Sequence, residues 1–242
     1  MSYQNLINMK HRYLEVITLI IAGVLFVGQN IAAAPVRFLP WDMELAARKI
    51  GLGNAKDVSE LQDLHPHKRS KSYKGPVGDV PLELVALDRK DAEGNPTRTK
   101  IKIPQDFVSP LVLIIPDEKN PTGMRTFVID DSASKFSWGS FRYINASGKA
   151  LLVSQDKKIV KLPASWQPVD FSPGGSMRNV GIQFVAQDDV KNVRYSAFWE
   201  HDPDIRKLVF IVLNLDGSPG AINCKIIPEN RRTLDAPATS GD

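Results

Sequence analysis

A chain of 242 residues with 43% hydrophobic and 24% charged side chains is long enough for one large domain or two small ones, and too apolar for a disordered protein. Gly (16) and Pro (17) stay far below collagen-like or low-complexity levels, and a net charge of +4 is a mild excess that nucleic-acid binders normally exceed and concentrate on one face, so no nucleic-acid partner is expected. The single cysteine, Cys224, excludes an intramolecular disulfide. In the strand-like run Ala221-Ile222-Asn223-Cys224-Lys225-Ile226-Ile227 it reads as a buried, unreactive thiol.

The N-terminus carries the most specific pattern. Lys10, His11 and Arg12 form a basic region, Val16 to Gly28 is an uncharged apolar run, and Ile31-Ala32-Ala33-Ala34 supplies small residues for cleavage. This is the layout of a bacterial secretory signal peptide, residues 1–33, with Met9 as an alternative start. Cleavage falls after Ala33, because Pro35 would sit badly next to a bond after Ala34. The alternative is an uncleaved membrane anchor, but the 13-residue run spans roughly 20 Å as a helix against about 30 Å of hydrocarbon. No cysteine follows the run to carry a lipid, and no second long apolar segment follows, so no membrane span is expected after cleavage. The expected destination is the periplasm or cell surface.

Residues 34–79 read as a short helical extension with a basic linker. Leu45, Ala46 and Ile50 share one helical face before Gly51 and Gly53, and Asp57-Val58-Ser59-Glu60 has capping-box spacing for a second helix ending at His65-Pro66. His65 to Pro76, rich in Lys and Arg, reads as a solvated connector, with an anionic-partner patch as the functional alternative.

From residue 80 to 232 short apolar runs alternate with turn signals. They include Pro81–Leu87, Thr99–Ile103, Leu111–Ile115 and Thr126–Ile129, a middle block over 140–171, and then Val180–Val185, Val193–Trp199, Leu208–Leu213 and Ile222–Ile227. About twelve strands at this spacing predict an all-β fold, an antiparallel β-sandwich. The hairpin of Leu111–Ile115 and Phe127–Ile129 is laid out like that of Leu208–Val212 and Cys224–Ile226, which suggests two related four-strand meanders flanking the middle block. Residues 233–242 read as a disordered tail.

Chemistry-bearing patterns are few. No nucleophile elbow, zinc-protease, phosphate-loop, paired-cysteine or dinucleotide motif occurs, and no cofactor is expected. His201 sits in the polar cluster Glu200, His201, Asp202 and Asp204, where flanking carboxylates could hold a divalent cation or serve acid-base chemistry. Against that, Asp202-Pro203-Asp204 is turn chemistry, and Glu200 and His201 alternate to opposite faces of a strand. Trp138, Tyr143, Trp166 and Trp199 are candidates for an aromatic platform that stacks sugars, with core packing as the alternative.

The run Trp138-Gly139-Ser140-Phe141-Arg142-Tyr143-Ile144-Asn145, with the later Tyr195-Ser196-Ala197-Phe198-Trp199 before a terminal hydrophobic hairpin, resembles a family of bacterial secreted β-sandwich proteins. The likeness covers residues 105–230. It implies fold and export, and brings no activity or catalytic residues. The resulting expectation is an exported, non-enzymatic module that binds an envelope glycan or protein. The rivals are a metal-dependent or hydrolytic enzyme built on the Glu200-His201-Asp202-Asp204 cluster, and a structural subunit docking through a strand edge.

Overall fold

A computed structural model of the chain describes residues 35–54, 57–75, 81–214, 216 and 221–234. The expected signal peptide, residues 1–33, lies outside the described residues, as does the expected disordered tail of residues 233–242 from residue 235 on; its first two residues, Thr233 and Leu234, instead close a short helix. The rest is all-β: fifteen strands and two short helices among the described residues.

The strands form two sandwiches with the same connectivity. The first contains β1 (Arg37–Pro40), helix α1 (Met43–Ala47), β2 (Ile50–Gly53), β3 (Val58–Glu60), β4 (Leu82–Lys90), β5 (Pro96–Ile101), β6 (Pro110–Pro116) and β7 (Met124–Asp130). Its two sheets have the orders β1-β6-β7 and β3-β2-β4-β5. The second contains β8 (Phe141–Asn145), β9 (Leu151–Gln155), β10 (Lys158–Leu162), β11 (Val169–Phe171), β12 (Arg178–Ala186), β13 (Asp189–His201), β14 (Ile205–Leu213), β15 (Ile222–Asn230) and helix α2 (Arg231–Leu234). Its sheets run β11-β8-β14-β15 and β10-β9-β12-β13. Even β11 has a counterpart, since Tyr73 bridges Val36 and the Ser70 amide donates to the Phe38 carbonyl along the free edge of β1.

The two long hairpins that match in sequence therefore hold the same place in each half. Each long β6-type strand lies parallel to the strand that opens its half, β1 with β6 and β8 with β14, and antiparallel to its hairpin partner. Both are buried on both faces. Val112 and Ile114 enter the first core while Leu111, Leu113 and Ile115 enter a seam between the halves; Val209 and Ile211 enter the second core while Leu208 and Phe210 enter the same seam. A strand covered on both sides has no solvent face to alternate with, and this is why Leu111–Ile115 and Leu208–Val212 are unbroken apolar runs.

The structure corrects two expectations about residues 34–79. They are not a separate helical extension, because β1 pairs with β6 and β2 with β4, inside the same sheets as the later strands. Among their described residues only α1 is helical, with the Asp42 carboxylate accepting from the Leu45 amide as its N-cap. The expected second helix is strand β3: Gly51 pairs with Glu60, and Leu61 donates to the Ile50 carbonyl. A capping box is worth about 1 kcal/mol, less than the hairpin and the burial of Leu61 together supply.

Candidate functional site

Strand alternation decides which side chains of the second half reach solvent. In β13, Tyr195, Ala197 and Trp199 face the core, so Ser196 and Phe198 must point outward. Phe198 is 81% exposed and stands directly opposite Gly181 of β12, with a ring atom 3.5 Å from where a glycine Cβ would project. The ring thus leans over bare backbone. Beside it a row crosses all four strands, Ser196, Gln183, Ser154 and Ile159, with no charge in it. Ile159 is 70% exposed. The next row, Val193, Val185, Leu152 and Lys161, is apolar up to its last member. The outer face of β10-β9-β12-β13 is therefore a nearly neutral surface with one exposed ring and flanking hydroxyl and amide groups.

The four aromatics proposed as a platform do not form one. Tyr143 is fully buried, donating its hydroxyl to Gln155 Oε1 at 2.5 Å, and Trp199 is a core residue whose Nε1 donates to the Tyr195 hydroxyl at 3.2 Å. Trp138 is half-buried with the Arg206 guanidinium 4.6 Å from its ring centroid. Trp166 plugs the seam against Trp41, Phe127 and Phe210 at 5.9, 5.5 and 6.4 Å, with Arg125 over it. Large rings on a sandwich contribute most to stability when buried, and these four follow that rule to different degrees.

The polar cluster does not converge either. His201 is 2% exposed, with Nε2 3.4 Å from the Gly175 carbonyl, while Glu200 lies on the opposite face across from Asn179. Asp202 accepts from the Asp204 amide in a tight turn, and Asp204 pairs with Arg231 and Arg232. Among the described residues no group of three or more His, Cys, Asp or Glu is placed to hold a metal ion.

The seam holds what the sequence did not reveal. Asp131, whose side chain is fully buried, pairs with Arg37 at 2.5 Å, Arg69 at 2.8 Å and Arg206 at 3.4 Å, and Glu229 pairs with Arg37 and Arg206. Burial alone would raise the Asp131 carboxyl, but the guanidiniums of Arg69, Arg206 and Arg37 hold it below the usual range. Arg69 belongs to the run read as a solvated connector; it and Ser70 are buried, the Ser70 hydroxyl accepting from the Phe38 amide at 2.8 Å. The two carboxylates occupy matching positions, since Asp131 donates its amide to Ser109 as Glu229 stands opposite Arg206. Arg37, across from Leu111, likewise matches Arg142, across from Leu208.

A shallow cavity of about 430 Å³ opens where the halves meet, lined by Trp41, Pro66, His67, Cys224 and Lys225 among others. Lys225 lies 5.1 Å over the Trp41 ring and donates to the Trp41 carbonyl; burial brings its ammonium down to about 8. Burial also pushes the Cys224 thiol up to about 12, in keeping with an unreactive cysteine. Set against known proteins, the chain matches no family model and no curated protein sequence.

Proposed function

We propose that the chain is an exported, non-enzymatic module that holds an envelope glycan against the outer face of the β10-β9-β12-β13 sheet. The observation that carries this reading is Phe198, 81% exposed over Gly181 and flanked by the uncharged row Ser196, Gln183 and Ser154. An exposed ring offers a sugar an apolar face, and hydroxyl and amide side chains at sheet spacing offer hydrogen bonds to its ring hydroxyls. Export rests on the basic-apolar-small pattern of residues 10–33. A protein partner is the second reading, favoured by the exposed Ile159 and Val193 on the same face.

Affinity capture from the organism's own envelope extract, with sugars and proteins both identified, tests the proposal. Glycan fragments should be retained, and Phe198→Ala should lower their retention about tenfold, the loss of one stacking contact. Capture of a single stoichiometric protein instead, equally sensitive to Ile159→Lys, would replace the glycan with a protein partner.

A further inference from the structure

The seam is closed differently at two matching places. Phe127 of β7 stands opposite Leu113 and Lys225 of β15 stands opposite Phe210, and both of those partners point into the seam. Phe127 is an apolar ring covered by Trp166, with ring centroids 5.5 Å apart. At Lys225 an ammonium replaces the ring, and beside it lies the cavity of about 430 Å³. Its walls come from both halves: Trp41, Pro66 and His67 from the first, Val212, Cys224 and Lys225 from the second.

An apolar side chain would pack this place as Phe127 packs the other, and the charge set there instead is poorly answered. Among the described residues Lys225 makes no salt bridge, and the Trp41 carbonyl takes one of its three N–H donors. The carboxylate of the lining, Asp42, already accepts from the Leu45 amide at 2.8 Å. His67 adds a second basic group, held below 6.5 by burial and then by Lys225 and His65. We infer that the cavity binds a small organic carboxylate, its oxygens on the Lys225 ammonium and its apolar body against Trp41, Pro66 and Val212. Such a ligand supplies the apolar cover that Trp166 gives Phe127, together with the negative charge the lining lacks. The site shares no residue with the outer face of β10-β9-β12-β13 and goes beyond the function proposed there.

Calorimetric titration of the full chain with benzoate and with hexanoate tests it, with benzamide as the uncharged control. At pH 7 at least one carboxylate should bind, and benzamide should bind about tenfold more weakly or less. Lys225→Met should weaken the carboxylate about tenfold or more, while Phe198→Ala leaves it unchanged. The Met variant puts an apolar chain where a half-buried ammonium stood, so it should melt no lower than wild type, which separates lost binding from misfolding. Burial brings Lys225 down to about 8 against the favourable charge of Asp42, whereas Cys224 is held up at about 12 and His67 below 6.5. Lys225 is thus the lining group that loses its proton between pH 7 and pH 9, and carboxylate affinity should fall about tenfold over that interval. Neither carboxylate binding, benzamide binding equally well, or an affinity unmoved by Lys225→Met or by pH would overturn the inference. The benzamide control and the pH profile need no variant, and glycan capture on the outer face stands or falls separately.

Discussion

The two outer sheets share one strand order and almost nothing of their surface chemistry. In the first sandwich the row crossing all four strands is Lys100, Glu83, Gly53 and Val58, and Arg98 comes within 3.5 Å of Glu83. The matching row in the second is Ser196, Gln183, Ser154 and Ile159. The inward rows, by contrast, agree in character. Ile50 faces Ala86 in the first half as Leu151 faces Ala186 in the second. Packing holds the inner positions to one solution, so the surface positions are where two copies of a frame can acquire different tasks.

The largest effects should come from breaking what the halves hold in common. Asp131→Ala leaves three arginines buried against one remaining carboxylate and should cost about 3–5 kcal/mol in denaturant unfolding. Leu113→Ala opens a cavity in the seam and should cost about 2–5 kcal/mol. If either variant unfolded in two separate transitions, the seam would be coupling the sandwiches less tightly than its burial implies.

Acid should act on the same seam. The folded Asp131 carboxyl lies below its ordinary 3.8, so its contribution is fully present above that pH and is lost as pH falls through the lower folded value. A thermal-melt series from pH 6 downward should show the decline setting in below about 4, and Asp131→Asn should flatten it.

Neighbouring residues of β13 sharpen the contrast between core and surface. Trp199→Ala should cost about 3–5 kcal/mol, whereas Phe198→Ala should change stability by less than about 0.5 kcal/mol. An equal loss at both positions would mean that Phe198 belongs to the packing.

Much of this architecture was legible in the sequence, for identifiable reasons. The runs Leu111–Ile115 and Leu208–Val212 marked strands, and their similar hairpins pointed to matching halves. The repeat was less visible at its N-terminal end. Val36-Arg37-Phe38-Leu39 parallels Phe141-Arg142-Tyr143-Ile144, but the helix-like signals after it set that segment apart. At residues 57–60 local capping chemistry pointed to a helix, and pairing with β2, which no local window contains, made a strand. Arg69 finds Asp131 62 positions along the chain, a contact that composition cannot report. Phe198 was within reach of sequence reasoning: once Trp199 is assigned to the core, alternation sends its neighbour outward.

The central claim, that the second outer face is the working surface and the first is not, is tested most directly by a backbone amide NMR titration. Soluble glycan fragments released from the organism's envelope would be added to the protein. The account predicts shifts clustered on β12 and β13 around Gly181, Gln183 and Phe198, with β4 and β5 unmoved. Shifts centred on Glu83 and Lys100, or spread equally over both sheets, would contradict it.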